Sequence, residues 1–278
     1  MFQQFRTTEF KISVARQLYK VVSLFYGKEK KIIQRGGINF EVDLSEGIDL
    51  SLFLFGNFQK HIFNQINLKK DAVVFDIGAN FGVMSLKFSQ LATQGKIYSF
   101  EPTHYAIERL KRNLELNPAL AKNIKIVNSF VSENSSENPE IKAFSSWKVD
   151  GKSSGDEHPV HFGTSKSADG TPSISLNDFC EKNEINRLDF IKIDTDGHEF
   201  EVFKGAKEAL KKLKPIIVFE IGQYVMAEKN ITFDFYHNYF KELNYKLIDL
   251  MSGKEVTLNN FKSYIPEKGT TDLLAIPN

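Results

Sequence analysis

The segment Val73-Val74-Phe75-Asp76-Ile77-Gly78-Ala79-Asn80-Phe81-Gly82 decides the fold. Its first half is rich in β-branched and aromatic side chains and reads as a buried strand. An acid closes that strand, and a glycine-rich turn then opens into a helical pattern over Gly82–Leu91. Glycines allow the backbone to turn sharply and let a ligand approach the peptide groups closely. Nineteen residues beyond Gly82, Ser99-Phe100-Glu101-Pro102 ends the next apolar run on a carboxylate. Such a carboxylate can accept hydrogen bonds from both ribose hydroxyls of a nucleoside-containing ligand. Strand, turn, helix, strand and acid together specify an adenosine-type cofactor site.

Working outward, short apolar runs alternate with helical patterns. The runs are Ala72–Ile77, Lys96–Phe100, Ile124–Asn128, Asp189–Ile193 and Ile216–Ile221; between them lie Gly82–Leu91, Thr103–Leu116 and Glu199–Leu213. Runs apolar on both faces are what parallel strands require. The order predicts a doubly wound α/β domain with crossovers over a parallel sheet. Tyr245–Leu250 and Asp272–Ile276 read as a closing pair that makes seven strands. Residues 71–278 form this domain, and 132–173, rich in Ser, Asn, Asp, Gly and Lys, is an insertion of loops or short strands. It carries Trp147, His158 and His161, and both histidines are expected to be exposed loop residues. Residues 1–70 read as an N-terminal extension serving the acceptor site or an oligomer contact. It comprises a helix, a hairpin over Lys31–Leu44 turning at Gly36-Gly37, and a second apolar helix near Leu50–Ile66.

The identity of the cofactor turns on detail. A dinucleotide fingerprint has glycine at three positions because the pyrophosphate lies against the helix N-terminus. Here Ala79 and Asn80 occupy the middle, and Asp76 stands where its charge would oppose a pyrophosphate. A ligand carrying an ammonium and a sulfonium suits the site better. No Gly-Lys-Ser/Thr follows, so a Walker-type phosphate loop is excluded.

At these residues the sequence resembles the S-adenosylmethionine-dependent methyltransferases of the FkbM type, a class I methyltransferase family. The resemblance rests on Asp76-Ile77-Gly78-Ala79-Asn80-Phe81-Gly82, on Phe100-Glu101-Pro102, on Phe190 to Glu199 with Lys204-Gly205-Ala206, and on Pro215 to Ile221. It implies a Rossmann-like, seven-stranded, mostly parallel sheet. It also implies that Asp76, Gly78, Ala79, Asn80 and Gly82 wrap the methionine part of S-adenosyl-L-methionine. Glu101 with Pro102 would hold the ribose, and Asn128, Ser129 and Phe130 would lie beside the adenine. The chain departs from the family at His198, which is added to the acidic turn, and at Gln59, where an acid is common.

Asp194, Asp196, His198 and Glu199 cluster at the carboxyl end of a buried strand, the edge where open α/β sheets bind ligands. Methyl transfer is an in-line displacement, so much of the acceleration can come from positioning. The expected roles are Asp194 at the transfer centre and in contact with the cofactor, His198 or Asp196 as base, and Glu199 orienting. A Mg²⁺ held by Asp194, Asp196 and Glu220 is an alternative route to an activated hydroxyl. The Asn/Asp-Pro-Pro-aromatic segment of base-directed amino methyltransferases is absent after this strand, and Cys180 lacks the neighbouring proline of a pyrimidine nucleophile. A small hydroxylated acceptor is therefore favoured over DNA or RNA, and the family resemblance implies an O-methyltransferase of a sugar, glycan or natural-product hydroxyl. A nicotinamide-dependent oxidoreductase and a non-catalytic binding protein are the alternatives.

Lys+Arg 36 against Asp+Glu 35 gives a formal charge of +1, which supplies no attraction to nucleic acid. The single cysteine rules out an internal disulfide and fits a reducing, cytoplasmic compartment. Lys11, Arg16 and Lys20 interrupt the N-terminal apolar stretch, so it is not read as a secretory signal, and no run is long enough to span a bilayer. Phe10, Val14, Leu18, Val22 and Phe25 recur at helical spacing. Residues 1–31 hold seven basic and two acidic side chains. This stripe is expected to pack on the chain's own domain or a second subunit in a homo-oligomer; an anionic membrane surface meeting residues 10–26 is the alternative.

Overall fold

The computed structural model describes residues 8–278 except 57, 58, 138, 140, 142, 146 and 151–163, with the side chains of 8–11, 144, 145 and 165 also outside the description. His158 and His161 fall outside the described residues.

Seven strands form the central sheet: β1 (Val73–Ile77), β2 (Lys96–Phe100), β3 (Ile124–Val127), β4 (Phe190–Ile193), β5 (Ile216–Ile221), β6 (Tyr245–Asp249) and β7 (Thr271–Pro277). Their order is β6-β7-β5-β4-β1-β2-β3. Pairings from β5 through β4, β1 and β2 to β3 are parallel, whereas β7 runs antiparallel to both β5 and β6. The alternation read from the sequence is thus the observed doubly wound sheet. Strand order reverses at β1 and β4, whose carboxyl ends carry Asp76 and Asp194 on adjacent strands; this is where such sheets open a crevice.

Alternate strand residues enter separate cores. Val74, Ile97, Phe190 and Val218 pack on one face with Ile62 and Phe88. Phe75, Tyr98, Phe100, Ile191 and Phe219 pack on the other. There, Phe75, Tyr98, Phe100 and Phe179 meet edge to face at centroid separations of 4.8–5.5 Å. Phe203 sits similarly among Phe219, Tyr236 and Phe240. Much of the high phenylalanine content, 25 residues, is therefore spent on this face.

Helices α1 (Thr8–Tyr26), α2 (Gly47–Phe55) and α3 (Lys60–Gln65) precede the sheet, together with a hairpin pairing Lys31–Arg35 with Ile38–Val42. The hairpin turns at Gly36 and Gly37, both at positive φ. Tyr19, Val22, Phe40 and Leu52 share a core with Phe81, Val83 and Leu86, so the extension is packed onto the sheet domain. Two expected helices are divided. The apolar stretch near Leu50–Ile66 breaks at Gly56, whose left-handed conformation (φ 64°) lets its N–H cap Leu52 O. The Glu199–Leu213 pattern splits into α8 (Glu199–Lys204) and α9 (Lys207–Leu213), with α4 to α7 being Val83–Leu91, His104–Glu115, Pro118–Ala121 and Leu176–Lys182. At Gly205 the start of the insertion fills the notch: an added Cβ would stand 2.2 Å from Ser132 O.

The expected packing stripe of α1 also needs correction. Its buried face is Ile12, Tyr19 and Val22, with Ala15 and Leu18 half-buried, whereas Val14 and Phe25 face solvent. The insertion contributes two short pairs, Phe130–Val131 with Ser173–Ile174 and Ala143–Ser145 with Thr164–Lys166. Among the described residues, no helix is long and apolar enough to cross a membrane.

Candidate active site at the carboxyl end of the sheet

The turn after β1 is tied to β2, because the N–H groups of Gly78 and Ala79 both donate to Phe100 O, at 3.0 and 2.9 Å. Gly78 has φ 78°, and a Cβ there would lie 1.8 Å from Asp194 O. The close approach that demands glycine at this position is made by the chain's own β4. Gly82, at φ 88°, similarly abuts Leu110.

Glu101 is buried at the end of β2. One carboxylate oxygen accepts from Asn80 N at 3.0 Å; the other accepts from Thr103 N at 3.0 Å and Thr103 Oγ1 at 2.6 Å. Burial raises its pKa, and these donors oppose that rise. Thr103 also caps α5, accepting from Ala106 N. Asn128 Nδ2 donates to the carbonyls of Glu101 and Pro102, which fixes the turn after β3 against that after β2.

Asp194 ends β4. Its carboxylate receives Gln59 Nε2 at 2.9 Å and lies 3.1 Å from Lys192 Nζ. Lys192 is buried within the strand and also stands 3.8 Å from Asp76 and 3.3 Å from Gly78 O. Burial works against its charge, but Asp194 and Asp76 outweigh this and hold its pKa above the usual lysine range. Asp76 is completely buried; Ser85 Oγ donates to it at 2.5 Å, its other oxygen has no hydrogen-bond partner, and burial pushes its pKa up.

The following turn is held by Glu199, which is buried and accepts from Thr195 N and Oγ1, both at 2.9 Å, and from Gly197 N. Asp196 adopts a left-handed conformation at the apex, φ 52°. Water reaches it through the open hollow, yet protein walls surround it. That enclosure first, then Asp194, Glu199 and Glu101, push its pKa up to about 8. His198 precedes α8 and makes no side-chain cap bond to it.

One hollow unites these groups. Gly78, Ala79, Asn80, Glu101, Pro102, Ser129 and Phe130 line it, as do Lys192, Asp194, Asp196 and His198. Ile48, Ala143 and Trp147 supply further walls, and the space, open mouth included, is about 1220 Å³. Of the residues singled out from sequence, Asp76, Gly82, Asn128 and Glu199 do not line the hollow; each supports a residue or turn that does. Lys192 had no expected role, although a lysine inside Phe190-Ile191-Lys192-Ile193 was a visible anomaly, since a buried ammonium demands acid partners. Trp147 lines the hollow, and Gln59 reaches it only through its hydrogen bond to Asp194.

Glu220, on β5, accepts from Thr270 Oγ1 at 2.5 Å and is raised by burial, Asp194 and Asp272, but it does not line the hollow. Among the described residues no group of three or more His, Cys, Asp or Glu side chains is arranged to hold a metal ion, so the expected Asp194–Asp196–Glu220 set is not assembled.

With this geometry in view, the comparisons with known proteins become informative. A family model described as the methyltransferase FkbM domain matches residues 76–247. The chain is 29% identical over 188 residues to methyltransferase sdnD of Sordaria araneosa, covering 59% of this chain and 71% of that protein. It is 27% identical over 151 residues to hexuronic acid methyltransferase AglP of Haloferax volcanii, covering 54% and 56%. To 2-O-methyltransferase NoeI of Sinorhizobium fredii it is 26% identical over 156 residues, covering 52% and 62%. The chain thus spans about three fifths of the length of the latter two relatives.

Proposed function

The chain belongs to the FkbM methyltransferase family, and from that membership we propose that it transfers a methyl group from S-adenosyl-L-methionine to a hydroxyl of a sugar, glycan or natural-product acceptor. The observation that carries the proposal is the meeting, in one hollow, of a ribose-type carboxylate with an acidic turn. The chain's own residues fit the cofactor chemically. Glu101 is anchored by three donors that fix its orientation, which suits an acceptor of paired ribose hydroxyls. Asp194 and Asp196 give the adjoining region a negative character that suits an ammonium and a sulfonium. Pro102, Ala106 and Phe130 offer the apolar surface an adenine needs.

When bound, S-adenosylmethionine supplies a sulfonium methyl whose bond to sulfur breaks as the acceptor oxygen bonds to carbon. The protein's part is positional and acid–base. Lys192 and Gln59 both hold one oxygen of the Asp194 carboxylate, so it presents a fixed charge at the floor of the hollow. Glu199 holds the turn bearing Asp196 and His198 in one conformation. His198 or ionised Asp196 accepts the acceptor's hydroxyl proton; Asp196, pushed up to about 8, is a stronger base than an ordinary carboxylate once deprotonated. The reading that these are O-methyl transfers to sugars is supported by the names of two relatives, a hexuronic acid methyltransferase and a 2-O-methyltransferase.

Calorimetric titration with S-adenosylhomocysteine, followed by methyl-labelled S-adenosylmethionine offered to a panel of neutral sugars, hexuronic acids and polyketide alcohols, tests the proposal. Binding together with label recovered as an acid-stable methyl ether supports it. NADH binding in place of S-adenosylhomocysteine would revive nicotinamide chemistry, and cofactor binding without label on any metabolite of a whole-cell extract would mark a non-catalytic binder.

A further inference from the structure

The outer face of α1 has no partner among the described residues. Val21, Leu24 and Phe25 are 55%, 82% and 80% exposed, and Val14 also faces solvent. At about 100° per residue, Val14, Val21, Leu24 and Phe25 occupy a sector of about 100°, separate from the inner face of Ile12, Tyr19 and Val22. Beyond Leu24 on the wheel come Ser13, Lys20 and then Arg16, with Lys28 just past the helix end, and these three cations line a second hollow together with Asp150. None of these three cations forms an ion pair among the described residues. Tyr26 packs edge to face on Phe53 at 5.1 Å, which anchors the C-terminal end of α1 to α2.

Two large, almost fully exposed apolar side chains in succession, beside unpaired cations, exceed the scattered apolar residues of an ordinary surface. An aqueous role does not account for them. We propose that this face of α1 docks the protein on an anionic lipid surface, with Val21, Leu24 and Phe25 entering the headgroup boundary and Arg16, Lys20 and Lys28 meeting lipid phosphates. Charge decides against a second copy as the occupant. A two-fold contact pairs residue i with j and j with i, yet it still sets one net-basic patch against another, so Lys20 and Lys28 of both copies would share one interface. Anionic headgroups neutralise them. Docking leaves the inner face seated on its core, so it requires no unfolding.

The test uses the full chain and vesicles of phosphatidylcholine alone or mixed equally with phosphatidylglycerol. Co-flotation with the anionic vesicles only, weakened by high salt, is expected. Phe25→Glu or Leu24→Glu should lower vesicle affinity about tenfold or more, and Lys20→Glu or Lys28→Glu about fivefold or more each. These positions are exposed, so circular dichroism and S-adenosylhomocysteine affinity should not change. Absence of flotation, equal affinity for neutral vesicles, or undiminished binding by Phe25→Glu overturns the proposal. So does a dimer, detected by light scattering, that Phe25→Glu dissociates, since the face would then be a contact between copies. Failure here leaves the methyltransferase reading intact, because nothing in the assay requires turnover.

Discussion

Replacing Lys192 by methionine removes one cation from a buried array and leaves the stem volume nearly unchanged. Its Nζ lies 3.8 Å from Asp76 and 3.1 Å from Asp194. With an effective dielectric constant of 20, those separations correspond to gross attractions of about 4 and 5 kcal/mol. Much of this is consumed in holding the ammonium out of water, so the net loss is best taken from cases in which one partner of a buried pair is removed, about 3–5 kcal/mol. Asp194 opens onto the hollow and can rehydrate. Asp76 cannot: it is completely buried, with Ser85 as its remaining donor. Asp76 is therefore where the loss concentrates.

The effect has a definite pH dependence. Lys192 has a raised folded pKa, so its contribution is fully present below the unfolded lysine value near 10.4 and constant between pH 5 and 8. Asp76 already has a raised pKa, and removing the cation raises it further. A carboxyl raised in the folded state costs stability as pH climbs through its folded value. Lys192→Met should therefore lose about 3–5 kcal/mol at pH 8 and about 1 kcal/mol at pH 5, where Asp76 takes up a proton. Urea unfolding followed by circular dichroism and by fluorescence of the single tryptophan, with coincident transitions and an unchanged m-value, measures this. Adding Asp76→Asn should restore stability at pH 8 to within about 1 kcal/mol of the starting protein. A loss below about 1 kcal/mol at pH 8, a loss independent of pH, or no rescue by Asp76→Asn would refute the argument.

Glu101→Gln should weaken S-adenosylhomocysteine binding about tenfold or more by calorimetry, the equivalent of losing one charge-assisted hydrogen bond. Gly78→Ala should cost more than about 3 kcal/mol, since strain adds to a clash with Asp194 O; Gly36→Ala, with nothing within 4 Å of the new Cβ, should cost only about 1 kcal/mol. The two are compared by denaturant midpoint. Asp196 is protonated below its raised pKa of about 8, so its charge appears as pH rises. The affinity ratio of S-adenosylmethionine, a sulfonium, to S-adenosylhomocysteine, its neutral thioether, should increase from pH 6.5 to pH 9 by up to about tenfold, and in Asp196→Asn it should stay level. Trp147 lines the hollow and is the only tryptophan, so S-adenosylhomocysteine should alter its emission; an unresponsive spectrum would place the ligand elsewhere.

The sheet was legible because its strands are short apolar runs bounded by turn residues, and burial on both faces leaves little ambiguity. Helix ends were less so. Gly56 and Gly205 interrupt stretches whose apolar spacing continues on either side: at Gly56 a local left-handed cap ends the helix, and at Gly205 a tertiary contact with the insertion's carbonyl does. On α1, two apolar faces compete: Ile12, Tyr19 and Val22 against Val14, Val21 and Phe25. Periodicity identifies a helix with apolar faces but cannot say which one meets the core. Lys192 was hidden for a different reason. Its need for acid is local and readable, but its partner Asp76 is 116 residues away in sequence and comes opposite it only when β4 lies beside β1 in register.

That register also changes the meaning of the acid at the end of β1. From sequence, Asp76 is a ligand-facing carboxylate; in the structure it sits behind the hollow, within a buried polar chain. Ser99 Oγ donates to Ser85 Oγ at 2.7 Å, Ser85 donates to Asp76, Asp76 faces Lys192, and Lys192 reaches the Asp194 oxygen to which Gln59 also donates. The chain links β2, α4, β1, β4 and the start of α3. A polar network this deep is tolerable only when its members satisfy one another, and removing any one strands the rest in a low dielectric. On this reading Asp76 acts through Lys192. It helps keep an ammonium in the floor of the site, which in turn fixes the Asp194 carboxylate. The negative character that greets a cationic ligand then comes from Asp194, held in place by Lys192, and from Asp196. The Asp76→Asn/Lys192→Met pair therefore separates two accounts of the same residue. If Asp76 served the ligand directly, the double variant would regain stability yet lose S-adenosylmethionine affinity as far as Asp76→Asn alone. If it serves Lys192, affinity should follow whether the Asp194 carboxylate still points into the hollow, and Gln59→Ala should lower it in the doubly substituted background more than in the original.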